Sequence, residues 1–354
     1  MAERVRPAEQ DGAVAPRPST GGLYFGRPNT NVKFISSGCK TLDLVLGGGW
    51  ARRRISNIVG DRSSGKTLLV IEAAANFAKS EPKGRIRYRE AESAFDELYA
   101  KAIGFPVDQV DFGDPIETVE DLFEDLTKVI EKAKSPELYI VDSLDALSDR
   151  AEMDRDIDEG TFGAGKAKQM SQLFRRLVKP LAAHDVTLMI VSQVRDNIGN
   201  MFNKVSRSGG RALDFYASQV LMLSQLGKRE RTISGIKRVT GVDIRARCEK
   251  NKVGLSYGET RFPISFGYGV DDLESCLMWL QESKSLKRIG LSDSAPAKEQ
   301  DKAIKDYLDD LVEMPNDKFV KESAVIHAEV EKRWYEIENA FLPKRSKYTN
   351  VEVE

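Results

Sequence analysis

Eight consecutive residues, Gly60-Asp61-Arg62-Ser63-Ser64-Gly65-Lys66-Thr67, follow the apolar run 55–59 and precede a helical pattern over 68–75. G-x-x-x-x-G-K-T between a strand and a helix is a phosphate-binding loop. Its glycines let backbone N–H groups curl around phosphates, Lys66 reaches the β- and γ-oxygens, and the Thr67 hydroxyl is placed to ligate Mg²⁺. The expected ligand is a nucleoside triphosphate. A second apolar run, Leu138-Tyr139-Ile140-Val141, ends in Asp142. An acid at the C-terminal end of a buried strand faces the crevice where parallel sheets bind ligands, so Asp142 is the candidate for the Mg²⁺ shell. Glu90-Ala91-Glu92 ends a third strand. Hydrolysis needs a base at the γ-phosphate, and Glu92 is chosen over Glu90 for that task. On these residues alone, two solvated acids opening a helix fit as well.

These groups need a scaffold that holds strand ends side by side. Strand patterns fall at 55–59, 85–89, 138–141, 187–191, 220–223, 243–248 and 261–266, and helical patterns at 66–79, 119–134 and 166–183. Such alternation predicts an α/β fold, a mainly parallel sheet with helices on both faces. The Pro-bearing stretch 1–33 reads as a flexible N-terminal arm, 34–283 as the core, and 284–354 as a charged, mainly helical C-terminal region. In that region Ile326, Val330, Trp334, Ile337 and Phe341 make one apolar stripe, expected to pack within its own small domain.

Composition narrows the class. No run of eighteen apolar residues and no signal peptide follows Met1, which leads to the expectation of a soluble, cytoplasmic protein. Cys39, Cys248 and Cys276 show no metal spacing, and His184 and His327 are too few for histidine-based zinc chemistry. The formal net charge is −1, yet residues 164–211 carry nine bases against two acids, and 298–341 carry seven bases against twelve acids. That asymmetry predicts a basic face for a polyanion and an acidic flank.

Several motifs in order resemble the RecA family. They are Ser36-Ser37-Gly38-Cys39-Lys40-Thr41-Leu42-Asp43 with Leu46-Gly47-Gly48-Gly49, then Glu90-Ala91-Glu92-Ser93-Ala94-Phe95-Asp96, Val191-Ser192-Gln193-Val194-Arg195 and Lys250-Asn251-Lys252. The segments 198–202 and 209–218 are similar to the family's second DNA-binding loop and the helix after it. The likeness spans about 34–269 and implies a RecA-like P-loop ATPase core that uses ATP and Mg²⁺. It gives Gln193 the sensing of the γ-phosphate, sets Asp96 and Tyr99 against adenine, and sends Lys250 and Lys252 into the neighbouring subunit's ATP site. The first DNA loop would fall at 154–165 with Phe162, and Lys168 and Arg175 on the helix behind it. Arg195, Phe202, Lys204, Arg207, Gly209, Gly210 and Arg211 complete the implied DNA path, basic groups for phosphates and an aromatic for bases.

The resemblance implies a DNA-dependent ATPase that forms a helical homo-oligomeric filament on single-stranded DNA and pairs it with double-stranded DNA in strand exchange. A ring helicase or motor with the same core shares the nucleotide motifs but leaves 199–202 and 209–218 unexplained, and a regulator of another recombinase would not need Lys66, Thr67, Glu92, Asp142 and Gln193 intact. Three features depart from bacterial members. The N-terminus offers only Leu23-Tyr24-Phe25 as an anchor, Asp214 stands where a lysine is usual, and the chain after Lys284 does not match. Such divergence suits a phage-encoded relative.

Overall fold

The computed structural model describes residues 31–92, 95–153, 164–196, 205–207 and 210–342. The first half forms β1 (Phe34–Ile35), α1 (Lys40–Val45), β2 (Trp50–Ala51), β3 (Ile55–Gly60), α2 (Lys66–Ser80), β4 (Arg85–Glu90) and α3 (Glu97–Ala102). Then come β5 (Val110–Asp111), α4 (Val119–Lys132), β6 (Glu137–Asp142), α5 (Arg150–Met153), α6 (Ala164–Ala183), β7 (Val186–Asp196), β8 (Val205–Arg207) and α7 (Gly210–Tyr216). The remainder is β9 (Gln219–Ile233), β10 (Ile236–Asn251), β11 (Glu259–Ser265), β12 (Gly269–Val270), α8 (Asp272–Glu282), α9 (Ala297–Glu313) and α10 (Asn316–Phe341).

One sheet has the order β12-β11-β10-β9-β3-β7-β6-β4-β5, with β8 on β7. From β9 to β5 the pairs are parallel, and β10, β11 and β12 continue the sheet antiparallel. The parallel half explains its own apolar runs. In β3, Ile58 packs on one side with α1 and α2, while Ile55 and Val59 pack on the other with α4 and α6. β6 divides likewise, Leu138 and Ile140 to one face, Tyr139 and Val141 to the other. A strand buried on both faces has no polar side to show.

The antiparallel half departs from the expectation of helices on both faces. Val242, Ile244, Ala246 and Cys248 are buried while Arg245, Arg247 and Arg261 are exposed, so this half is covered on one side only. Two strands are also far longer than their apolar cores suggest, because β9 and β10 run on beyond the sheet. α4 is specified locally. Thr118 and Asp121 form a reciprocal capping box, and Val119, Leu122, Leu126, Val129 and Ile130 bury one stripe.

The C-terminal helices share an apolar cluster that begins upstream of 284, at Cys276, Leu277 and Leu280 of α8, and includes Leu44 of α1. Ile326 and Val330 are fully buried and Trp334 is half-buried against Trp279, whereas Phe341 is exposed. The stripe therefore packs except at its end. His327 on α10 hydrogen-bonds Asp272 on α8 (2.7 Å), and Asp272 accepts the Lys40 N–H (2.6 Å), tying these helices to α1. No helix among the described residues is long and apolar enough to cross a membrane.

Candidate active site

Four strand ends converge because the parallel register aligns them. Gly60 on β3 lies beside Gln193 on β7, and Glu90 on β4 lies beside Asp142 on β6. Between β3 and α2 the chain folds into the expected loop. Gly65 sits at φ 86 as the N-cap of α2, and a Cβ there would lie 2.5 Å from Ile264 Cδ1. A Cβ on Gly60 would lie 2.5 Å from Ser64 Oγ, so both positions need glycine to keep the cradle open. The Ser64 hydroxyl and the Lys66 ammonium both donate to the Asp61 carbonyl, at 2.8 and 2.7 Å. Asp61, Arg62 and Ser63 are exposed at the lip. Burial draws the Lys66 pKa below its ordinary value, against the pull of Asp142, Glu92, Asp145 and Asp61.

Asp142 is buried, and burial raises its pKa, while hydrogen bonds from the Tyr88 hydroxyl (2.7 Å) and from Thr67 hold it down. Thr67, Asp142, Tyr88, Glu90 and Glu92 line a small cavity of about 50 Å³. A hydroxyl and a carboxylate facing one space beside the phosphate loop are the oxygen donors that Mg²⁺ takes. Glu92 Oε1 accepts from Gln193 Nε2 (2.9 Å) and from the Ser143 hydroxyl. Glu90 instead accepts the Glu92 N–H (3.0 Å). The Gln193 N–H is held by Asp145 (2.6 Å). The structure thus brings Lys66, Thr67, Asp142, Glu92 and Gln193 into one site.

A larger cleft of about 350 Å³ adjoins the loop, lined by residues 63–68 together with Tyr99, Val242, Ile264 and Phe266. Tyr99, which the resemblance sets against adenine, is among its lining residues. Asp96 caps α3, its carboxylate accepting the Tyr99 N–H (3.0 Å), and so fixes the tyrosine's helix. Phe266 was not foreseen. It comes from the antiparallel half, and only its place after a strand and before Gly267 hints at an aromatic kept exposed. Tyr88 was missed too, since a tyrosine inside a buried strand reads as core.

Lys250 and Lys252 lie elsewhere. Lys250 pairs with Val220, which pairs with Asn57, three residues before Gly60. Their ammonium groups donate to the last carbonyls of α7: Lys250 to Asp214 and to Phe215 (2.8 Å), Lys252 to Phe215 (3.2 Å). They are held at a helix C-terminus, remote from this chain's own phosphate loop.

β7 continues past Gln193 into a hairpin, Val194 opposite Arg207, Arg195 opposite Ser206 and Asp196 opposite Val205. Arg195 and Arg207 are therefore on its two strands, and Gly210 and Arg211 open α7. Lys168 is on α6, as is Arg175, whose Nε donates to the Tyr216 hydroxyl of α7 (3.3 Å). Phe162, Phe202, Lys204, Gly209 and the Leu23-Tyr24-Phe25 anchor lie outside the described residues.

The sequence profile of the RecA N-terminal domain matches residues 23–271. Three curated relatives named Protein RecA show the same likeness. That of Trichodesmium erythraeum is 33% identical over 260 residues, 73% of this chain and 70% of the relative. That of Arthrospira platensis is 33% identical over 73% of this chain and 69% of the relative. That of Prochlorococcus marinus (strain MIT 9211) is 34% identical over 72% of this chain and 67% of the relative.

Proposed function

The chain belongs to the RecA family, and from that premise we propose how it works as a DNA-dependent ATPase of recombination and repair. ATP would set its phosphates in the 60–67 loop at the N-terminus of α2 and its base in the larger cleft that Tyr99 and Phe266 line. Thr67 and Asp142 would hold Mg²⁺, which would draw charge from the β- and γ-phosphates. Glu92 takes the proton of the attacking water, and Gln193 reads the γ-phosphate. Single-stranded DNA follows the β7–β8 hairpin, and the protein assembles along it as a filament that pairs the strand with a duplex.

One observation carries this reading. Gln193 reaches Glu92 with its side chain and belongs to the strand that becomes the hairpin, so occupancy at the phosphates and the placement of the DNA loop share one rigid element. A γ-phosphate that draws on the Gln193 amide moves β7, and the hairpin moves with it. The test is Glu92→Gln. It should keep ATP binding and lose DNA-stimulated turnover by roughly 10²–10⁴-fold, the share that a positioned base supplies. Full turnover in Glu92→Gln alongside a dead Glu90→Gln would transfer the base to Glu90.

A further inference from the structure

β11 leaves β10 at the pair Gly241 and Ser265, yet β9 and β10 continue together to Ile233 and Ile236. Residues 230–240 are all exposed and form a two-stranded arm beyond the sheet. Ser234 and Gly235 close it at φ 51 and 79, the two left-handed positions of a tight hairpin turn whose twist matches the strands.

The register on one face is unusual. Arg231 lies directly opposite Arg238, and Ile233 directly opposite Ile236. Like charges in that position destabilise a ribbon, and two isoleucines at a solvated tip gain nothing from water. Neighbouring Arg229 is neutralised by Asp243 (2.7 Å) and Glu274 (2.6 Å), and Lys237 by Glu230 (2.6 Å). Among the described residues, Arg231 and Arg238 have no carboxylate within ion-pair distance. Two uncompensated cations behind an apolar tip fit a polyanion that also offers apolar surface between its charges.

Position selects which one. β7 and β9 flank β3 on its two sides, their strands about 10 Å apart at the level of Gly60, and the arm and the β7–β8 hairpin both extend from that end of the sheet. A strand seated on the hairpin leaves the arm to whatever lies alongside it.

We propose that this arm is a duplex-DNA-binding ribbon, Arg231 and Arg238 taking phosphates while Ile233 and Ile236 enter a groove as a wedge. A two-stranded ribbon fits a duplex groove, and apolar side chains at a ribbon's tip can part a base step. The proposal rests on the DNA reading above, but its test separates the two. Using the full-length chain and a fluorescent 40-base-pair duplex, anisotropy across a salt series is compared for wild type, Arg231→Gln/Arg238→Gln and Ile233→Ser/Ile236→Ser. The arginine pair should lower the steepness of log affinity against log salt by about 1.8, two contacts at about 0.9 each. The isoleucine pair should weaken duplex binding severalfold at unchanged slope. Both variants should keep wild-type turnover with single-stranded DNA. Duplex slopes and affinities equal to wild type would overturn the arm, as would an equal loss on single-stranded DNA. No DNA-stimulated turnover in wild type, beside altered duplex slopes in the variants, would instead sink the ATPase reading and leave the arm standing.

Discussion

Tyr88 acts on the site through one hydrogen bond, its hydroxyl donating to Asp142 Oδ2 at 2.7 Å from inside the buried strand β4. That bond favours the ionised carboxylate in a place where burial opposes it. In the proposed role Asp142 must be charged to hold Mg²⁺, so turnover should fall as pH drops through its pKa. Removing the donor lets burial raise that pKa further, and the fall must then begin at higher pH. Tyr88→Phe should therefore move the acid limb of the pH–rate profile upward while leaving turnover near wild type on the alkaline side. An unmoved acid limb would show that the hydroxyl does not tune this carboxylate. Phe in place of Tyr keeps the ring contacts with Phe95, Phe105 and Phe112, so a general loss of fold is not the expected result.

At the scale of the element, α2 carries an acid on its inner side. Glu72 accepts the Val270 N–H (2.7 Å), and a Cβ on Gly38 or Gly269 would come within 2.3 or 2.4 Å of its carboxylate oxygens. Those two glycines, at φ 84 and 106, let the backbone close over the group. Burial pushes its pKa from 4.5 up to about 7. The folded protein therefore binds the proton more tightly than the unfolded chain, and stability is fullest below 4.5 and declines as pH rises toward 7. Glu72→Gln removes the charge and keeps an oxygen for Val270. It should flatten that decline and raise stability at pH 8 by about 1–3 kcal/mol. Urea unfolding at pH 5 and 8 measures both. A variant that loses stability at pH 8 would mean that the ionised form is satisfied in the fold.

The whole molecule has two unlike ends. The groups proposed to bind phosphate gather at the C-terminal ends of the parallel strands, and Lys250 and Lys252 sit near the other ends of the same sheet, about 10 Å back along the strand from the level of Gly60. Exposed Phe215 and Tyr257 share that second end. A lysine there serves phosphates only if another subunit brings its loop to it, which is what head-to-tail assembly does. A subunit lacking both lysines but with Lys66 intact should thus regain turnover when mixed with a Lys66→Ala subunit that supplies lysines in trans. Mixing the two over a range of ratios with single-stranded DNA should give a maximum above either alone. Additive residual activities at every ratio would remove Lys250 and Lys252 from the interface.

The phosphate loop and the strand-ending acids Glu90, Glu92 and Asp142 were legible in the chain because each is a contiguous pattern, set by residues joined by covalent bonds. The alternation of strands and helices carried the parallel half for the same reason. The parts of Tyr88 and Phe266 were not, because each depends on which strand lies beside which, a relation set by packing between residues far apart in sequence. Even the arginines at 231 and 238 look like an ordinary charged stretch until the hairpin register puts one directly across from the other. The residues alone determined what chemistry the chain can do. Only the fold decided which groups face it, since side-chain direction follows from strand pairing and burial that no local pattern contains.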